Sequence, residues 1–236
     1  MTADTFRDAS PKRRRPSRHL TLLCLLLLLF VISPFIAGLR YGVVVLNIIG
    51  AVTLLAGVHT VGRHKVLFRV TVAIAAIAVV INGVLAVALS EGWTLISYVC
   101  LLVLLALFSI GILGEVLRAG KITADKIYGA ICVYLLVGYA WTFAYAIVDQ
   151  VQPGSFAGAV ESGGPSEYVA RVMRMRYFSF VTLTTVGFGD ITPRSPTART
   201  FAMLEAVMGQ IYHAVLVARL VGLHIVHSDN SKARDE

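Results

Sequence analysis

Five charge-free apolar runs of about twenty residues each limit this chain more than any other feature. A bilayer core about 30 Å thick takes ~20 consecutive apolar residues in a helix. Leu20 to Gly38, Tyr41 to Val61, Val70 to Ser90, Trp93 to Gly114 and Ile127 to Val148 each supply such a run. A sixth, from about Phe201 to Val226, is interrupted by Glu205, His213 and Arg219. The composition agrees: 57% of residues are hydrophobic and 14% charged, where a soluble domain carries about 25% charged residues. A water-solvated surface is therefore excluded, and the fold class expected is an all-α integral membrane protein. A pI near 9.7 would suggest nucleic acid in a soluble protein. In a membrane protein it points to basic cytoplasmic loops facing anionic lipid, and no nucleic-acid partner is expected.

The basic residues orient the spans, because short cytoplasmic loops are enriched in Lys and Arg. With the N-terminus inside, 14 of the 21 fall on the cytoplasmic side, six fall outside, and Arg219 stays in the sixth span. A multi-pass protein of the cell membrane with both termini cytoplasmic follows. The first run, preceded by Lys12-Arg13-Arg14-Arg15, has the outline of a secretory signal. Its apolar stretch is longer than the roughly 7–15 residues of a signal core and no small-residue cleavage site follows, so it reads as a span. The basic segment Lys12 to Arg18 is then an orientation signal, with anionic-lipid binding as a secondary role. Cys24, Cys100 and Cys132 all lie inside apolar runs and read as small buried hydrophobes. Asn47 and Asn82 read as interhelical hydrogen-bonding residues.

The fifty residues between the fifth and sixth spans differ in character. Gln150 to Pro165 is rich in turn formers, with Pro153-Gly154-Ser155 and Ser162-Gly163-Gly164-Pro165. Tyr168 to Thr184 follows, and its apolar end is too short to cross a membrane. It suits a re-entrant helix that dips in and returns. Next comes Thr184-Thr185-Val186-Gly187-Phe188-Gly189-Asp190, where glycines alternate with larger residues. That alternation admits the positive φ angles that L-residues avoid, so successive carbonyls can face one side. A ring of such carbonyls can replace the water lost by a dehydrated cation.

Thr182 to Pro193, TLTTVGFGDITP, resembles the selectivity filter of the potassium-channel superfamily, and the following LEAVMGQIYHAVLVARLVGL resembles its pore-lining inner helix. The resemblance covers Ile127 to Val226, and the whole layout is similar to that of small six-helix bacterial ion channels. It implies six transmembrane helices, with a re-entrant pore helix and filter between the fifth and sixth, and a homotetrameric pore. The division implied is a basic N-terminal segment (1–19), a four-helix peripheral bundle (20–118), a two-helix pore domain (119–226) and a short cytoplasmic tail (227–236). By this resemblance Thr185, Val186, Gly187 and Phe188 hold K+ through their carbonyls, the Thr185 hydroxyl included, and Gly189 completes the filter. Asp190 braces its outer mouth. Phe188 stands where Tyr is common, a departure compatible with potassium selectivity. A Glu often precedes that Asp by nine residues; Val181 is found here, so inactivation that depends on a carboxyl pair is not expected.

Other residues admit two readings each. Gly209, nineteen residues after Asp190, is a gating hinge or a small packing residue. Gln210, His213, Val217 and Val221 recur at helical spacing on one face. If that face is the cavity, Gln210 and His213 line it, and Val217, Val221 and Ile225 form a hydrophobic constriction. His213 is a cavity pH sensor or a neutral histidine hydrogen-bonded to the pore helix. Glu205 is expected to bond the pore helix or an outer arginine such as Arg176. Arg219 is expected to snorkel to the interface or to pair with an acid such as Glu115. His224 and His227 read as interfacial, since no third metal ligand accompanies them. Trp93 to Gly114 contains no charge and Arg118 alone follows it. A voltage sensor moves several arginines through the field, so weak voltage dependence is expected. The tail from His227 to Glu236 is expected to be too short for a cytosolic ligand-binding domain, so the gate is expected to respond to lipid, pH, tension or a partner, or to leak.

The function expected is a passive, potassium-selective channel without enzymatic activity or cofactor, K+ being the permeant ion. Two alternatives are a potassium transporter or uptake subunit with a filter-like loop, and a weakly selective cation channel. Transporters show internal repeats and midplane ionisable groups, and spans one to five contain neither.

Overall fold

The computed structural model describes residues 18–36, 39, 41–60, 69, 72–77, 91–118, 123–158 and 167–235, and the side chains of these apart from 43, 91, 167, 217 and 220–235. In chain order the elements are α1 (Arg18–Ile36), α2 (Gly42–Thr60), α3 (Glu91–Val116), α4 (Ala124–Val151), β1 (Phe156–Ala157), α5 (Glu167–Leu183), β2 (Thr192–Pro193) and α6 (Pro196–Asp235). Among the described residues, Arg18–Ile36, Gly92–Val116 and Ala124–Val151 are long and apolar enough to cross a membrane, and Val44–Thr60 is a shorter apolar helix. Of the expected third span, residues 72–77 are helical and the remainder lies outside the described residues. So do the basic N-terminal segment, Asn82, and the side chains of Val217, Val221, His224, Ile225 and His227.

Local chemistry fixes the ends of the helices that build the pore end. Thr123 caps α4, its side chain accepting from the Lys126 amide at 3.4 Å. Asp125 adds a carboxylate to the first turn, where the helix carries partial positive charge. The Ser195 hydroxyl accepts from the Ala198 amide at 3.2 Å, and Pro196 opens α6 at the position where its missing N–H costs nothing. From there α6 continues to Asp235. The expected division at Val226 between span and tail is therefore not a helix end, and 227–235 contains neither Gly nor Pro to stop the helix.

The helix α4 sits at the centre, with α3, α5, α1 and α6 all packed against it. Leu22 and Leu26 of α1, Leu104, Phe108 and Ile112 of α3, Val133 and Leu136 of α4 and Met175 of α5 are fully buried. Outside this core the turn-rich loop gains order from a feature too short for any sequence pattern to reveal. Phe156 and Ala157 pair antiparallel with Pro193 and Thr192, and the Ser155 carbonyl accepts from the Arg194 amide at 2.7 Å. The segment before the pore helix is thereby stitched to the segment after the filter.

Candidate ion-conduction site

The filter segment begins where α5 ends. The last turn of α5 is closed by Thr184, whose amide donates to the Phe180 carbonyl at 3.1 Å and whose hydroxyl donates to the same carbonyl at 2.7 Å. The Val181 carbonyl then accepts from the amides of Val186 at 3.0 Å and Gly187 at 3.3 Å. At Val181, where related filters can carry a carboxyl brace, the backbone itself ties the segment to its helix.

Beyond this tie the backbone alternates in hand. Thr185 has φ 59°, Gly187 φ 55° and Gly189 φ 80°, while Val186 and Phe188 between them keep negative φ. Alternation of left- and right-handed residues turns consecutive carbonyls toward one side, the geometry a dehydrated cation requires. For the glycines this conformation is cheap. For Thr185, a β-branched residue, it costs about 1–3 kcal/mol and persists only where the surroundings impose it. Glycine alternation in the sequence pointed to Gly187 and Gly189; Thr185 joins them as the third left-handed residue. A Cβ placed at Gly187 or Gly189 would meet open space, and Val186 and Phe188 are 55% and 70% exposed. Among the described residues, nothing packs against Gly187 or Gly189 where a side chain would stand.

Three contacts hold the segment at its two ends. The Gln210 Nε2 donates to the Thr185 hydroxyl oxygen at 3.1 Å, so α6 supports the strained residue from below. At the outer end, Asp190 accepts from the Ile191 amide at 3.0 Å and is hydrogen-bonded to the Tyr177 hydroxyl of α5. A Cβ at Gly158 would collide with the Asp190 carbonyl oxygen, so the loop stitched by β1 and β2 lies directly against the filter's exit.

Beneath the filter, α6 packs closely on α5. A Cβ at Gly209 would run into the Leu183 carbonyl oxygen, which gives this glycine a packing reason within an unbroken helix. The fully buried Glu205 accepts from the Tyr145 hydroxyl at 2.5 Å and lies 2.6 Å from the Ser179 hydroxyl. It thus links α4, α5 and α6. Ser179 also lies 2.8 Å from the Gly138 carbonyl. Of the two expectations for Glu205, the pore-helix bond is present and Arg176 is not its partner. Arg176 instead stacks over Phe30, 5.6 Å from the ring centroid.

His213 bonds the Gly209 carbonyl of its own helix through Nδ1 at 2.9 Å, and its ring meets Tyr134 edge-on at 4.8 Å. Its remaining surface is exposed. The Arg219 guanidinium donates to the Arg118 carbonyl at 3.1 Å. A helix-end carbonyl left without an intrahelical partner replaces the carboxylate expected there.

Sequence reasoning missed several anchors. Asp149 at the end of α4 accepts from Arg174 at 2.5 Å and pairs with Arg171 at 3.3 Å, fixing the outer half of α5. Buried His19 bonds Asp125 at 2.8 Å and joins the start of α1 to that of α4. The three arginines of α5 were visible as charges amid aromatics, but their partners lie more than twenty residues away. Among the described residues no three His, Cys, Asp or Glu side chains cluster as a metal site, and the three cysteines are unpaired.

Comparison with known proteins places this geometry. Residues 155–223 match a family model described as an ion channel. The chain is 38% identical over 69 residues to the two pore potassium channel c of Oryza sativa subsp. japonica, a match covering 29% of this chain and 14% of that protein. It is 31% identical over 88 residues to the two pore potassium channel a of the same organism, covering 37% and 21%. The matches thus span about a fifth or less of these relatives' length. They support a pore module of the potassium-channel superfamily in this part of the chain.

Proposed function

We propose that this chain, which carries a pore module of the potassium-channel superfamily, is one subunit of a potassium-selective channel that conducts passively. The observation that carries the reading is the alternating backbone at Thr185, Gly187 and Gly189 directly after a helix end. A potassium ion entering the pore sheds water, and carbonyls of residues 185–188 take its place. The C-terminal end of α5, with its partial negative charge, favours a cation just before the filter.

One chain has one filter segment with open space beside it, so the ring is completed by other copies. A homotetramer supplies four carbonyls per level. Met203, Leu204, Val207, Met208, Ile211 and Val215 of α6 are all exposed in the isolated chain, and they form an apolar surface for neighbouring subunits or lipid. Gln210 and His213 face the cavity below the filter. The conductance is only weakly voltage-dependent, since α3 between its terminal glutamates carries no charge to move through the field. The protein sits in the cell membrane with both termini cytoplasmic.

Reconstitution of the purified chain in liposomes with a potassium gradient tests this reading. Flux driven by that gradient alone, blocked by barium and lost in Gly187→Ala, is expected. Flux that requires a second ion gradient would overturn it in favour of a coupled transporter.

A further inference from the structure

Between the peripheral helices and the back of the pore helix lies a cavity of about 460 Å³, within the ~300–1,000 Å³ of sites that bury small ligands. Its walls are apolar side chains of all five helices α1 to α5, among them Leu29, Leu54, Leu105 and Val172. One lining residue is charged, the half-buried Arg176 of α5. Among the described residues its contacts are the Phe30 ring and the Tyr139 hydroxyl, and neither supplies counter-charge. The nearby carboxylate of Asp149 is engaged by Arg171 and Arg174.

We propose that this cavity holds one acyl chain of an anionic membrane lipid, with the lipid phosphate on the Arg176 guanidinium. Arginine and phosphate match as a charge-assisted, bidentate pair, and the chain fills the apolar space behind α5. The site is placed to act on the filter. Arg176 adjoins Tyr177, the hydrogen-bond partner of Asp190, and one turn later Phe180 packs edge-on against Phe30 and Tyr139. An occupied cavity therefore stiffens the pore helix from its rear face. Binding requires only that the chain lie in a bilayer, whereas the effect on conductance rests on the channel reading above.

The test uses the full chain in nanodiscs containing phosphatidylglycerol or phosphatidylcholine with identical acyl chains, and native mass spectrometry to measure the lipid retained. Both headgroups carry a phosphate, but in phosphatidylcholine the trimethylammonium competes with Arg176 for it, so retention of the anionic lipid is expected to exceed that of the zwitterionic lipid about tenfold. Arg176→Gln brings the two to parity and Arg176→Lys keeps the preference. Gly50 lines the cavity and a Cβ there meets open space, so Gly50→Leu fills the void without a clash and lowers retention of both lipids. Equal retention of the two lipids by the unmodified chain overturns the proposal. So does an anionic preference that survives both Arg176→Gln and Gly50→Leu in chains whose thermal unfolding is unchanged. Potassium flux measured alongside separates the two readings: retention without flux contradicts the channel and leaves the lipid site standing, and flux without retention contradicts the lipid site alone.

Discussion

The helix α2 and the helices α4 to α6 differ in how far their polar groups reach. In α2 the Thr53 hydroxyl donates to Ile49 and the Thr60 hydroxyl to Gly57, both carbonyls of the same helix. The helices α4 to α6 have such bonds too, Thr142 to Gly138 and His213 to Gly209, but add bonds that cross between elements: Tyr145 and Ser179 to Glu205, Arg174 to Asp149, Gln210 to Thr185, and Tyr212 to the Ala130 carbonyl. Apolar packing in a bilayer discriminates weakly between a neighbouring helix and lipid tails. Hydrogen bonds that reach another element supply the register that apolar contact leaves loose. The segment after α5 holds the strained Thr185, and these cross-element bonds surround it. The helix α1 lies between these extremes, tied to α4 by the His19–Asp125 bond, by the Cys132 thiol at the His19 carbonyl and by the Tyr139 hydroxyl at the Leu26 carbonyl.

Substitutions that break this comparison should differ widely in effect. The largest is expected at Gly187. An alanine at φ 55° costs roughly 1–2 kcal/mol per subunit. Across the proposed tetramer that is roughly 4–8 kcal/mol, enough to lower the conducting population about a thousandfold or more. Flux through liposomes should fall to background while the assembled protein keeps its elution volume. Glu205→Leu comes next. It leaves two buried hydroxyls without their carboxyl acceptor and should lower stability by about 2–5 kcal/mol in thermal unfolding. Glu205→Gln, which keeps an acceptor oxygen, should recover much of that.

Gly209→Ala probes the same region by crowding. The added methyl has no room against the Leu183 carbonyl, and overpacking costs about 1–3 kcal/mol. If Gly209 is in addition a hinge, conductance will change beyond what this loss of stability explains. His19→Gln, at the joint between α1 and α4, should cost about 1–2 kcal/mol. Leu55→Ala on α2, where the side chain is 64% exposed, should stay within about 0.5 kcal/mol. A Leu55→Ala effect as large as that of Glu205→Leu would abolish the distinction between the two regions.

What could be read from the sequence follows the same division. The alternating backbone at Gly187 and Gly189 was legible because its requirement is local, as is that of an apolar run long enough for a span. Glu205 was legible as an ionisable group inside a span. Its partners were not, because Tyr145 lies 60 residues away and Ser179 26 residues away, and many hydroxyls in the chain could have served. The bond of Arg219 to the Arg118 carbonyl, which Lys126 also reaches, spans 101 residues, and a backbone carbonyl has no sequence signature. The pairing of Phe156 with Pro193 is a two-residue bridge with no period to detect. Thr185 gave no sign of a left-handed backbone, since a β-branched residue is among the least expected there.

The central claim is that the alternating segment from Thr185 to Gly189 selects potassium. The direct measurement is the reversal potential of the purified, reconstituted chain with potassium on one side of the membrane and sodium on the other. A potential close to the potassium equilibrium value, collapsing in Gly187→Ala, is the result this account predicts. A reversal potential near zero, meaning that sodium and potassium pass equally well, would contradict it.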